Sequence, residues 1–135
     1  MRLPRTPEVD GTHHNGYPMA KTVLIVDDHA SFRRAVRLVL EYEGYEVVGE
    51  AADGEEALAA AGDLKPELVL LDVHMPGIDG FEVASRLTSA ETPPAVVLTS
   101  SRDGTDFDQR VRRSGARGFI PKAEISGQRL ADLLR

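Results

Sequence analysis

Three carboxylates in this chain occupy positions where their chemistry can be shared. Asp27 and Asp28 end the apolar run Val23-Leu24-Ile25-Val26, and Asp72 ends Leu68-Val69-Leu70-Leu71. Near-continuous apolar stretches of this length read as buried parallel strands. In an open α/β sheet the carboxyl ends of the strands line one crevice, and ligands bind there. Carboxylates gathered in that crevice repel one another unless a divalent cation holds them together. Two more strand-like runs end in useful groups, Ala95–Leu98 in Thr99-Ser100 and Arg117–Ile120 in Pro121-Lys122. Each residue also has a plain structural use. Asp27 and Asp28 suit the cap of a helix beginning near Ser31, and Asp72 a turn before Pro76-Gly77. Thr99 suits a strand, and Lys122 a solvated surface. Acid pair, single acid, hydroxyl and amine at one end of one sheet form a far more specific pattern than any of them alone.

The elements that must position these groups alternate along the chain. Strands are predicted at Thr22–Val26, Glu46–Glu50, Leu68–Leu71, Ala95–Leu98 and Arg117–Ile120. Between them, Phe32, Val36, Val39 and Leu40 follow helical spacing. Asp53 with Glu56, and Asp79 with Glu82, have the spacing of capping boxes ahead of two further helices. Phe107 and Val111 mark a fourth helix, and Leu130, Leu133 and Leu134 a fifth behind the cap residue Ser126. Five such βα units imply a parallel sheet with helices on both faces, a three-layer α/β/α fold.

Bulk properties narrow the function. With 135 residues the chain supports one core. A formal charge of −6 argues against direct nucleic-acid binding, which needs a basic surface. The absence of cysteine excludes a disulfide framework and thiolate chemistry, and fits a cytoplasmic protein. No apolar stretch reaches the length of a membrane span. Residues 1–19 are polar and rich in proline and glycine, and read as a disordered leader before a domain at 20–135. His13-His14 within it reads as a solvated pair. Thirteen residues follow Lys122, which leaves no room for a helix-turn-helix.

From Lys21 to Arg135 the chain resembles the receiver domain of two-component response regulators. The resemblance rests on Val23-Leu24-Ile25-Val26-Asp27-Asp28-His29, on Leu70-Leu71-Asp72-Val73-His74-Met75-Pro76-Gly77-Ile78-Asp79-Gly80, on Val97-Leu98-Thr99, and on Gly115-Ala116-Arg117-Gly118-Phe119-Ile120-Pro121-Lys122. The Asp-Asp-His start is most similar to receivers that carry a helix-turn-helix, although this chain reads as stand-alone. The resemblance implies a flavodoxin-like, doubly wound five-stranded sheet of order 2-1-3-4-5. It implies a phosphorelay switch rather than an enzyme, with Asp72 accepting a phosphoryl group from a sensor histidine kinase or phosphotransfer protein. Asp28, Asp72 and the backbone carbonyl of His74 would hold Mg²⁺, with Asp27 supporting the metal shell. Lys122 would pair with the phosphoryl oxygens, Thr99 would donate its hydroxyl to them, and Phe119 would rotate inward. The fourth helix, fifth strand and fifth helix, around Phe107, Arg110, Phe119 and Leu130, would form the output face for a protein partner or a second copy.

Departures from the family pattern are local. Many receivers place proline directly after the active-site lysine, with a cis bond before it, whereas here Pro121 precedes Lys122 and Ala123 follows. A cis Lys122–Ala123 bond would cost about 3 kcal/mol, so a trans bond is expected. The stretch from Thr99 to Gly115 is about one residue longer than usual, which leaves Ser100 as a second candidate switch hydroxyl. Arg110, Arg112, Arg113 and Arg117 make the fourth helix region basic, either a solvated face or a site for an acidic partner. Two other functions compete. An aspartyl-phosphate hydrolase of the haloacid dehalogenase type needs an acid two residues beyond the nucleophile, where this chain has His74. An interaction module independent of phosphorylation would have no use for the full set of acids, hydroxyl and amine.

Overall fold

A computed structural model describes residues 21–101 and 108–135. Five strands alternate with five helices: β1 (Thr22–Val26), α1 (Ala30–Tyr42), β2 (Glu46–Ala51), α2 (Gly54–Leu64), β3 (Leu68–Asp72), α3 (Gly80–Thr88), β4 (Ala95–Ser100), α4 (Asp108–Arg113), β5 (Gly118–Pro121) and α5 (Gly127–Leu134). The strands pair in parallel in the order β2-β1-β3-β4-β5, the doubly wound order expected from the sequence.

The strands are apolar throughout because both faces of the sheet are covered. On one face Leu24, Val26, Val69, Leu71, Val96 and Leu98 pack with Ala57 of α2, Phe81, Val83 and Leu87 of α3, and Val111 of α4. On the other, Val23, Ile25, Leu68, Leu70, Val97 and Ile120 pack with Val36 and Leu40 of α1 and Leu130 of α5. This alternation along each strand makes the three layers.

The helix starts follow the capping signals. Asp53 Oδ1 accepts from the amide of Glu56 at 2.8 Å, and Glu56 Oε1 accepts in return from the amide of Ala52 at 2.9 Å. Asp79 caps α3 through the amide of Glu82 at 2.9 Å. That box is only half formed, because the Glu82 side chain turns forward to Arg86 at 2.8 Å. Ser126 caps α5 through the amide of Arg129 at 3.1 Å.

Differences from the expected boundaries fall where the chemistry lies. Asp72, Thr99 and Ser100 belong to the strand ladder itself, with Asp72 opposite Thr99 and Ser100 opposite Pro121. Pro121 is the last residue of the edge strand β5, so its missing N–H falls at the end of the ladder. All peptide bonds among the described residues are trans, that of Lys122–Ala123 included. Leu130 is a correction to the expected output face. It is fully buried, because the apolar stripe of α5 faces the sheet. Phe107 and the leader lie outside the described residues.

Candidate functional site

Asp27 follows β1 directly and is held from several sides. Its amide donates to the carbonyl of Ala51 at 3.0 Å, which carries the β1–β2 pairing one residue past the strand. Its own carbonyl accepts from Arg33 Nη1 at 2.5 Å. Arg33 is fixed in turn by Glu50 at the end of β2, through Nε to Oε1 at 2.8 Å, and the second Glu50 oxygen accepts from Arg37 at 2.9 Å. The Asp27 side chain is fully buried. Oδ1 accepts from the amide of His29 at 2.8 Å, while Oδ2 pairs with the Lys122 ammonium at 2.6 Å.

Asp28 turns the other way, toward solvent. Its Oδ1 lies 3.1 Å from Nδ1 of His29, and the same nitrogen is 3.2 Å from Oδ1 of Asp27. One imidazole nitrogen thus stands between two carboxylates.

Asp72, the last residue of β3, is 3% exposed. The amide after it donates to the carbonyl of Thr99 at 2.9 Å, and the amide of His74 donates to its Oδ1 at 3.3 Å. Lys122 Nζ lies 3.8 Å from Oδ2. Burial pushes the Asp72 carboxyl up to about 6, and the nearby charge of Asp27 pushes the same way. Lys122 and the His74 amide pull it down without cancelling the rise. The α3 N-terminus is packed hard against this residue. Gly80 donates its amide to the carbonyl of Val73 at 2.9 Å, and a Cβ added at Gly80 would run into the carbonyl of Asp72.

Lys122 opens a 3-10 turn, Lys122–Glu124, directly after β5. Its ammonium lies over the ring of Phe32 from α1, 4.3 Å from the centroid, so α1 and β5 both aim it at the acids. Thr99 is fully buried beside Asp72, and its hydroxyl donates to the carbonyl of Ile120 in β5 at 2.6 Å.

The structure therefore brings Asp27, Asp72 and Lys122 into one charged cluster, with Asp28 at its rim. Thr99 is in place along the ladder, with its proton given to β5. The His74 side chain is exposed, and its contact with Asp72 is through the backbone. The donor set fits a hard divalent cation: carboxylate oxygens of Asp27 and Asp28 lie close together, and the charge of Asp72 adds to theirs with Lys122 as the cation already among them. The sequence reading missed Arg33 and Glu50 as supports of Asp27. A basic residue one turn into the helix after a strand-end acid, matched by an acid ending the neighbouring strand, was the available signal.

Comparison with known proteins agrees with this fold. The family described as response regulator receiver domain matches residues 23–135. A putative transcriptional regulator of Pseudomonas aeruginosa is 44% identical over 102 residues, covering 76% of this chain and 49% of that protein. The virulence factors putative positive transcription regulator BvgA of Bordetella pertussis is 42% identical over 106 residues, covering 78% of this chain and 51% of that protein. The chain thus spans about half the length of these curated relatives. Among solved structures, the signal receiver domain of the putative response regulator NarL of Mycobacterium tuberculosis superposes with a TM-score of 0.76 at 36% identity, covering 87% of this chain and 95% of that one. With a five-stranded sheet of order 2-1-3-4-5, acids and lysine at its carboxyl end, and a family match over nearly all described residues, the chain belongs to the response regulator receiver domains.

Proposed function

We propose that this receiver is a phosphoryl-accepting switch in a phosphorelay, with Asp72 as the acceptor. The observation that carries the reading is the setting of Asp72. It is a buried carboxyl at a strand end, facing a Lys122 ammonium that it shares with the neighbouring Asp27. Phosphoryl transfer asks mainly for positioning and for neutral surroundings around the equatorial oxygens. A carboxylate oxygen of Asp72 attacks phosphorus of a phosphohistidine on a sensor kinase or phosphotransfer protein. The P–N bond breaks, the imidazole leaves with the electron pair and takes up a proton, and an acyl phosphate remains on Asp72. The chain is thus a substrate of transfer rather than an enzyme turning over a separate molecule.

Asp28, Asp72 and the carbonyl of His74 would hold Mg²⁺, with Asp27 supporting the shell. The ion would neutralise the carboxylates and polarise the phosphoryl oxygens. Lys122 sits closer to Asp27 than to Asp72, 2.6 against 3.8 Å, so a short swing of its ammonium carries it from one acid to the new phosphoryl group. The Thr99 hydroxyl has one proton, now given to Ile120. A phosphoryl oxygen beside it is the stronger acceptor. Donating there releases the carbonyl of Ile120, next to Phe119 in β5, and changes the α4–β5–α5 face. Arg110 of that face already spans to α3, 3.3 Å from Asp79 and over the ring of Phe81. A protein partner or a second copy of the chain would read the change there.

Treatment with a small phosphodonor tests the reading. Intact-mass analysis should show one added phosphoryl group with Mg²⁺ and none after chelation. Labelling that persists equally without any divalent cation would refute the proposed site.

A further inference from the structure

Helix α1 is apolar on two opposite sides. Val36 and Leu40 are buried against the sheet. On the outer side Leu38, Val39 and Tyr42 are 70%, 41% and 90% exposed, and Ala35 beside them is exposed too. At about 100° per residue, this outer set spans a stripe about 100° wide, facing away from the core. A surface helix ordinarily turns charged and polar groups to that side. Only one other large apolar side chain among the described residues is exposed, Leu64, so the stripe is concentrated on this helix. Two opposite charges, Arg34 and Glu41, run along one edge of it, two turns apart. Arg34 is exposed and makes no ion pair among the described residues. Glu41 is 45% exposed and meets Arg37 through Oε2 at 3.2 Å.

We propose that the chain forms a two-fold dimer through α1, with α1 of a second copy lying antiparallel on the stripe. In a two-fold contact, residue i of one copy meets j of the other and j meets i. An antiparallel pair centred near Leu38 sets Leu38 against its counterpart and Tyr42 against Ala35. It also places Arg34 of each copy beside Glu41 of the other, twice over. Parallel helices would set Arg34 against Arg34 and Glu41 against Glu41, so charge selects the antiparallel arrangement. One helix face is smaller than the roughly 800 Å² per partner of a stable complex, so the dimer is weak, with Kd on the order of 100 µM. The pairing needs neither a metal nor a phosphoryl group, and is independent of the acceptor reading given above.

Sedimentation equilibrium of the whole chain, from about 10 µM to about 1 mM, should show monomer passing into dimer. Leu38→Glu, at an exposed position, should weaken association roughly tenfold or more. Arg34→Glu and Glu41→Arg should each weaken it roughly fivefold, since each sets like charges at both crossings. Mixed in equal amounts, those two variants should associate again to within about twofold of the parent, because both crossings regain opposite charges. A chain that stays monomeric throughout overturns the proposal and leaves the stripe to an unrelated protein or to the chain's own leader. A dimer that survives Leu38→Glu lies on another face and overturns it as well. A mixture no tighter than its separate components contradicts the antiparallel pairing.

Discussion

Asp72 illustrates how one buried side chain sets both stability and readiness to react. Its folded carboxyl holds a proton up to about 6, against an ordinary 3.8. The folded state therefore binds the proton more tightly than the unfolded state. Stability contributed by that proton is complete below the ordinary value and is lost as pH rises through about 6. Ionised Asp72 in the metal-free protein then costs on the order of 3 kcal/mol at neutral pH. Asp72→Asn should accordingly stabilise the metal-free chain near pH 7.5, with the gain shrinking toward zero as pH falls to about 4. Urea unfolding of both proteins across that range checks the sign, and a variant less stable at neutral pH would contradict it. The acids, Thr99 and Lys122 were all legible in the sequence, because strand topology alone takes them to one end of the sheet. Where each proton and charge now rests was not. Lys122 prefers Asp27, and Thr99 prefers Ile120, and both choices depend on distances that no pattern encodes.

At the scale of elements, the site depends on how closely α3 approaches β3. Gly80, the first residue of α3, leaves no space for a methyl group between itself and the backbone of Asp72 and Val73. Gly80→Ala should cost about 1–3 kcal/mol through forced displacement, more than the few tenths that an exposed helix-end change would bring. It should also slow phosphoryl uptake, because the displaced backbone carries the acceptor. Denaturant titration and phosphodonor labelling of the same variant check both effects. Labelling at the parental rate would mean that the Asp72 loop is not held by α3. Element order and helix starts were readable from Asp53, Asp79 and Ser126, whose side chains do cap their helices. Strand ends were less so. The strands predicted to end at Leu71 and Leu98 stop at the last apolar residue, whereas pairing continues through Asp72, Thr99 and Ser100, since ladder bonds ignore side-chain polarity. Leu130 was misassigned to a surface for a related reason. An apolar residue on a short terminal helix is needed by the core before it is available to a partner.

For the whole molecule, the sheet separates two cores, and the acceptor lies at the carboxyl end of the central strand β3 between them. Among the described residues no helix is long and apolar enough to cross a membrane. A phosphoryl group on Asp72 needs to shift the population by only a few kcal/mol, not to refold either core. Amide exchange should therefore change between Ser100 and Leu134, where Thr99 couples to β5, and stay nearly constant along α1. Large differences confined to α1 would place the output elsewhere. All of this rests on Asp72 being the phosphoryl acceptor. Reduction of the phosphorylated chain with borohydride converts an aspartyl phosphate to homoserine, which peptide mass mapping can locate. The account predicts homoserine at position 72 alone, and homoserine at Asp27, Asp28 or any other aspartate, with position 72 intact, would contradict it.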